Sequence, residues 1–446
     1  MTASPRRASH RRQHSPGGKR AAASGLAPRR AAAEIIDLVL AGAPLSAVLE
    51  DFSADKSLSP RDAALARAIA RATLRRLGDV DYVLGKLLSK KLPRKAAAAQ
   101  TILRLSAAQL LFMRQADHAA VNTAVAMLKS DAATGGYAGL ANAVLRRLTR
   151  EREALLDALP ANANTPAWLW QRWTKAYGAQ AAAEMAQMHR AEPPLDLSLP
   201  PDAAPPEDGV ALPTGGLRLS SRAVDEIEGY AEGRFWVQDF AAQLPTTLLG
   251  EVAGKAVLDM CAAPGGKTLQ LAAAGAKVTA VEKDPVRAER LRQNLARVGV
   301  ADRVTVAVSD ARQVGGTYDA VLLDAPCTAT GTLRRQPDVA LHRTAADIPK
   351  LAKLQQELLK AAAERTRSGG SVVFATCSLE REEGEDHLSF IAEALPCLSL
   401  ASVRGGAAAP FATPHGTVRT LTHFAIPNTP GAEGMDGFFA ARFVKA

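Results

Sequence analysis

Two cysteines stand where two short apolar runs end. Cys327 closes Asp324-Ala325-Pro326-Cys327 behind Ala320-Val321-Leu322-Leu323, and Cys377 lies in Thr376-Cys377-Ser378 behind Ser371-Val372-Val373-Phe374. Runs of this kind read as buried strands. In an open parallel sheet the C-terminal strand ends border the ligand crevice. A thiolate is a strong nucleophile that can form a covalent intermediate and divide one hard step into easier ones. Two thiols delivered to one crevice, downstream of a Gly-rich loop, point to covalent chemistry on a bound base. Cys261 and Cys397 read differently, the first as a small loop residue and the second as a small buried hydrophobe.

The Gly-rich loop follows Val257-Leu258-Asp259 and runs Met260-Cys261-Ala262-Ala263-Pro264-Gly265-Gly266-Lys267-Thr268. Small residues next to a helix N-terminus let backbone amides approach a ligand closely. A phosphate-binding P-loop needs Gly five residues before Gly266, where Cys261 stands, and the dinucleotide G-x-G-x-x-G spacing is also absent. The remaining pattern resembles the methyl-donor loop of class I methyltransferases. Glu282 ends the next predicted strand, where a carboxylate can accept from both ribose hydroxyls. Asp310, after the third strand, is placed to hold an adenine amino group. The predicted cofactor-binding set is therefore Cys261, Ala262, Ala263, Pro264, Gly265, Gly266, Lys267, Glu282, Asp310 and Asp324.

Alternating strands and helices must position these residues. Strands are predicted over Ala256–Met260, Lys277–Val281, Val304–Val308, Ala320–Asp324 and Ser371–Ala375, with helices near 267–275, 285–298 and 347–367. Later strands fall around 397–403 and 437–444. This alternation predicts an α/β, doubly wound, Rossmann-like parallel sheet. Residues 31–155 read as an all-α bundle of six or seven helices, broken near Ser59-Pro60, Leu92-Pro93 and Gly135-Gly136. Residues 156–245 read as a helical and Pro-rich linker with a small subdomain: seven prolines fall in 191–215, and extended pieces follow at Leu217–Leu219 and Phe235–Val237. Trp168, Trp170 and Trp173 are expected to pack between helices rather than to stack on bases. The last domain is placed at 246–446.

A chain of 446 residues, 47% hydrophobic and 22% charged, is expected to form two or three globular domains. No apolar run is long enough to span a bilayer, so no membrane partner is expected. Four cysteines without C-x-x-C spacing predict a reduced, cytoplasmic protein without disulfides, and the scattered histidines predict no metal. The net charge of +10 is uneven. Residues 1–30 hold eight Lys and Arg and no acid, which leaves +2 for the remainder. Such an arm attracts polyanions through counterion release. It is also compatible with an ordinary solvated tail or a transit peptide, although Pro5, Pro16, Gly17 and Gly18 interrupt any amphipathic helix.

The loop from Asp259 to Thr268, the stretch Asp324 to Gly331, Thr376-Cys377-Ser378 and the ending Asp436-Gly437-Phe438-Phe439 together resemble RNA cytosine-5 methyltransferases of the RsmB/Sun (Fmu) type within the NOL1/NOP2/Sun family. Val237-Gln238-Asp239 with Gln243 fits the start of that family's catalytic domain. The helical part is similar to the NusB family, most clearly in His118–Lys129 and in Asn142-Ala143-Val144-Leu145-Arg146-Arg147. The resemblance implies a monomeric enzyme that uses S-adenosyl-L-methionine (AdoMet), without a metal, to methylate C5 of a specific cytosine in 16S rRNA. It also implies that Cys377 is the nucleophile and that Cys327 assists elimination; Asp324, adjacent to the crevice, is placed to hydrogen-bond cytosine N3 if protonated. The residues alone do not rank the two thiols. A tRNA substrate and a non-catalytic RNA-binding assembly factor are the alternatives. The chain departs from the family pattern at Glu282, usually Asp; at Thr328-Ala329, usually Ser-Gly; at Gln336, usually His; and at Leu341, near an expected Trp. Asp196 and Ser198 replace expected Arg and Asn in a shortened stretch, 191–234, which puts RNA contacts from that stretch in question.

Overall fold

The computed structural model describes residues 25–54, 58–113, 115–201, 203–206, 208–220 and 223–446. Most of the basic arm thus lies outside the described residues. The chain divides into two compact units, 1–163 and 164–446.

The described part of the first unit is helical, with α1 (Leu26–Leu40), α2 (Leu45–Ala54), α3 (Pro60–Arg75), α4 (Leu77–Leu87), α5 (Ala97–Phe112), α6 (Asp117–Lys129) and α7 (Ala138–Asp157). Apolar residues at helical spacing meet in one core: Ile35, Ile36 and Val39 of α1 pack with Ile69, Leu103, Leu105 and Leu145. Ser59 caps α3 by accepting from the Asp62 amide, and Pro60 takes the first helical position, where a missing N–H costs nothing. The Leu92-Pro93 break separates α4 from α5, and Gly135-Gly136 lies in a short 3-10 turn. Helix α1 begins at Leu26, inside the segment read as a tail. Arg29 is buried and donates to Gly25 O and Gln115 Oε1.

The second unit begins earlier than predicted. Helices α8 (Ala167–Tyr177) and α9 (Ala179–Arg190) belong to it and do not form a linker. Trp173 is fully buried, and Trp168 and Trp170 pack against the same cluster as Leu333 and Leu379. The Pro-rich stretch contributes β1 (Leu195–Ser198) and β2 (Val210–Ala211) to a small antiparallel sheet that β3 (Leu217–Leu219) and β4 (Trp236–Val237) complete. Asp196, buried, forms a two-bond pair with Arg218 and also accepts from the Phe240 amide. Its role is therefore to fix this sheet to the next helix. That helix, α10 (Phe240–Thr247), crosses the predicted boundary at 246 and buries Phe240 and Leu244 in the core of the main sheet.

The main sheet follows through β5 (Ala256–Met260), α11 (Gly266–Ala273), β6 (Lys277–Glu282), α12 (Pro285–Val298), β7 (Val304–Val308), β8 (Tyr318–Asp324), α13 (Val339–His342), α14 (Asp347–Arg365), β9 (Thr366–Thr376), α15 (His387–Ala394), β10 (Leu398–Leu400), β11 (Val418–Thr420) and β12 (Phe438–Lys445). Strands β5 to β9 are parallel, in the order β9-β8-β5-β6-β7. Apart from the edge strand β7, which is only partly covered, their runs of Val, Leu and Ala are buried on both faces, as a doubly covered sheet requires. The sheet is mixed rather than wholly parallel, because β12 joins β9 antiparallel and carries β10 and β11. The chain winds outward from β5 to β7 and then returns to the other side of β5 with β8, so the strand order reverses between β5 and β8. That reversal is where open α/β sheets bind their ligands.

Candidate active site

Three strand ends meet at the reversal. After β5, the loop turns sharply: Cys261 has φ 64°, the Ala263–Pro264 peptide is cis, and Gly265 has φ 110°. A Cβ on Gly265 would also lie 2.6 Å from Leu291 Cδ1, so this glycine serves the turn and the packing of α12. Arg287 Nη2 donates to Ala263 O at 2.6 Å and Asn294 Nδ2 to Pro264 O at 2.9 Å, pinning the outer loop carbonyls. The Ala262 amide donates to Val281 O. Burial, with the carboxylate of Asp324 nearby, pushes the Cys261 thiol up to about 12, so Cys261 is an inert loop residue rather than a reactive thiol. Asp259, fully buried, accepts from Thr268 Oγ1 at 2.6 Å and ties the loop to α11; burial raises its carboxyl to about 7.

Glu282 is buried at the end of β6. One carboxylate oxygen accepts from the Asp284 amide at 3.0 Å. The other has no hydrogen-bond partner, although Arg287 lies 3.2 Å away. A buried carboxylate oxygen without a donor calls for one, and a ribose hydroxyl of a bound nucleoside would supply it. Asp310 follows β7 and is held by Arg312, whose hydrogen bonds bring its carboxyl down to about 2. It is thus a persistent acceptor. The residues present therefore fit an adenosine-bearing methyl donor: Cys261 to Lys267 as the loop, Glu282 for the ribose and Asp310 at the adenine side.

Lys267, nearly buried, reaches from α11 to Asp324 at the end of β8, with Nζ 2.7 Å from Oδ2 and 4.9 Å from the Phe438 ring centroid. This contact makes Asp324 an ion-paired acceptor.

The two cysteines converge. Asp324 of β8 stands in register with Ala375 of β9, so the loops after these strands emerge side by side. Cys327 Sγ lies 3.4 Å from Cys377 Sγ. Cys327 is buried, whereas Cys377 is half-buried. The Cys377 sulfur, burial and the carboxylate of Glu383 together raise the Cys327 thiol well above its usual range. The geometry thus makes them unequal: a shielded thiol that keeps its proton stands beside a more accessible sulfur.

The family description "16S rRNA methyltransferase RsmB/F" matches residues 246–444, and the NusB family matches residues 26–150. A protein named ribosomal RNA small subunit methyltransferase B from Citrobacter koseri is 34% identical, with 94% of this chain and 98% of that protein covered. One of the same name from Xanthomonas campestris pv. campestris is 35% identical over 95% and 98%. The chain belongs to the RsmB/F family of rRNA methyltransferases. Among solved structures, PH0851 shares the fold with a TM-score of 0.72 at 22% identity, covering 95% of this chain and 98% of that one. A methyltransferase homologue from Pyrococcus horikoshii matches at 26% identity and a TM-score of 0.51, covering 62% of this chain and 94% of its own.

Several family-motif residues prove to be internal supports. Arg334, fully buried, pairs with Asp239 and, at 3.0 Å, with Asp436; Arg335 Nε donates to Asp436 at 2.8 Å. Asp239 caps α10 through the Ala241 amide and accepts from the Asp436 amide. Gly437 donates to Gly331 O, and a Cβ on Gly331 would stand 1.9 Å from Gly437 O. Only glycine permits this crossing. Gly331 in turn donates to Cys377 O. The motif ending Asp436-Gly437 thereby braces the two cysteine loops.

Sequence reasoning missed Glu383. It lies in the acidic run Glu380-Arg381-Glu382-Glu383, which reads as a solvated turn, yet its side chain is fully buried beneath both cysteine loops. Gln355 of α14 was also missed: Nε2 donates to Pro326 O at 2.8 Å and approaches Glu383 at 3.2 Å, while Oε1 meets His387 Nε2 at 2.8 Å. A glutamine on an amphipathic helix gives no sequence signal of such a position.

Proposed function

We propose that this protein methylates C5 of a specific cytosine in 16S rRNA through a covalent adduct between Cys377 and cytosine C6. It would act as a monomer in the cytoplasm. The observation that carries this reading is the 3.4 Å approach of two sulfurs of unequal exposure at the crevice. The names of the relatives, which specify the small-subunit rRNA, support the substrate class.

Cytosine C5 is a weak nucleophile and must be activated. Cys377, as thiolate, adds to C6; a C–S bond forms and the displaced electron pair makes C5 enamine-like. AdoMet, when bound, supplies the electrophilic methyl group that C5 takes up. The C5 proton must then leave and the C6–S bond must break, which restores the ring and returns Cys377 as thiolate. Cys327 is suited to take that proton. Its proton is held chiefly by the hydrogen bond to Cys377. Once Cys377 sulfur is bonded to carbon that hydrogen bond is lost; Cys327 then gives its proton to solvent, and the resulting thiolate takes the C5 proton and becomes a thiol again. The Lys267–Asp324 pair offers donors and an acceptor to the edge of the ring. A base reaches these groups only by leaving its stack.

Methyl-labelled AdoMet incubated with protein-free 16S rRNA should place label on C5 of one cytosine, located by bisulfite mapping. Label absent from cytosine, with a protein that still binds AdoMet, would contradict the reading.

A further inference from the structure

The residue following each catalytic cysteine is tied to the same buried carboxylate. Glu383 accepts from the Thr328 amide at 3.0 and 3.1 Å and from the Thr328 hydroxyl. It accepts from Ser378 Oγ at 2.6 Å and from Gln355 Nε2 at 3.2 Å. Thr328 follows Cys327, Ser378 follows Cys377, and Gln355 also holds the Pro326 carbonyl that precedes Cys327. Every one of these partners presents a hydrogen to the carboxylate. Ser378 has already committed its oxygen to the Glu380 amide. A carboxylate can accept from this set at all positions, whereas a carboxamide or a protonated acid would bring a donor against donors.

The turn that delivers Glu383 is itself anchored. Residues Arg381–Glu383 form a 3-10 turn, and Thr376 Oγ1 donates to Glu383 O at 2.8 Å. The other charged and titratable groups packed here have their own commitments. Arg419 donates to Ser378 O and pairs with Glu385, and burial brings His387 down to about 4, so it is neutral. Among the described residues no cation therefore enters the hydrogen-bond set of Glu383, and its charge is felt by the Cys327 sulfur.

We propose that Glu383 is a positioning residue for methyl transfer: by binding the residues after both cysteines it holds the two sulfurs in contact and places a negative charge beside Cys327. This rests on the covalent reading above. Burial raises the Glu383 carboxyl overall, and the donors around it oppose that rise and favour the charged form. The role follows from geometry: reactive groups displaced by about 1 Å can lose about 100-fold in rate.

The test compares wild type with Glu383→Gln in steady-state methylation of protein-free 16S rRNA, together with AdoMet binding. We expect kcat to fall about 100-fold while KM for RNA and Kd for AdoMet stay within about twofold of wild type. In a Cys377→Ser background, the pH midpoint for alkylating Cys327 should move down when Glu383→Gln is added, since a nearby negative charge has been removed. If Glu383→Gln does not fold, Ser378→Ala, which removes one donor, should lower kcat about tenfold. Unchanged kcat in a folded variant, a loss confined to KM, or an unmoved Cys327 midpoint overturns the proposal. A wild-type enzyme that places no label on cytosine would instead overturn the covalent reading.

Discussion

The loop around Cys327 carries a local strain that its neighbours impose. Ala329 has φ 59°, a left-handed conformation that costs an L-residue roughly 1–2 kcal/mol. The sequence shows Ala where the family pattern has Gly, and the substitution looks mild until the backbone is seen. Thr328, just before it, is held by Glu383, and Gly331, just after it, crosses Gly437, so the loop cannot relax elsewhere. Ala329→Gly should stabilise the protein by about 0.5–1 kcal/mol, the relief at φ being partly offset by the added freedom of the unfolded chain. Chemical denaturation with an unchanged m-value would show it. At this scale the sequence made the placement of Cys327, Cys377, Asp324 and the donor loop legible, because each follows or closes an apolar strand run. It left Glu383 and Gln355 hidden, because burial of a polar side chain depends on partners that are distant in sequence; Glu383 and Thr328 are 55 positions apart.

The elements that hold the site are joined by buried charge rather than by apolar contact alone. Arg334, after the Cys327 loop, spans Asp239 at the head of α10 and Asp436 before β12. Removing one partner of a buried charge set leaves others uncompensated, at a cost of about 3–5 kcal/mol. Arg334→Ala should destabilise the catalytic unit by about that amount, read as a lower midpoint in urea. A loss under 1 kcal/mol would mean that Arg335 alone satisfies Asp436. Strands β5 and β7 and helix α12 were legible to the residue, the strands as short apolar runs between turn signals and the helix by its Asp284-Pro285 start and Gly299 stop. β11 was not: Val418–Thr420 has three residues and becomes a strand only by pairing with β12. The same holds for β1 in the Pro-rich stretch, whose prolines flank the strand without entering it. Helices α8 and α9 were legible as helices but not as part of the catalytic unit. Their attachment depends on Trp173 donating to Glu380, and on Tyr177 donating to Leu379 O at 2.5 Å, in the loop after Cys377.

On the scale of the molecule, a helical unit with a NusB-family match and a methyltransferase unit are carried on one chain. Its excess positive charge is concentrated in the first 30 residues. That distribution suits a protein whose partner is a polyanion, since basic segments gain affinity from counterion release without choosing a sequence. On the proposed mechanism, choice then comes from the catalytic crevice, where one base is admitted and the two sulfurs act on it in turn. The division of labour between those sulfurs is the central claim, and the accumulation of a covalent protein–RNA adduct measures it directly. Cys327→Ala, incubated with AdoMet and protein-free 16S rRNA, should accumulate an adduct that survives denaturing electrophoresis, because attack proceeds and elimination does not. Cys377→Ala should form none. An adduct in Cys377→Ala and none in Cys327→Ala would exchange the two roles, and no adduct in either variant, with AdoMet still bound, would contradict the covalent mechanism.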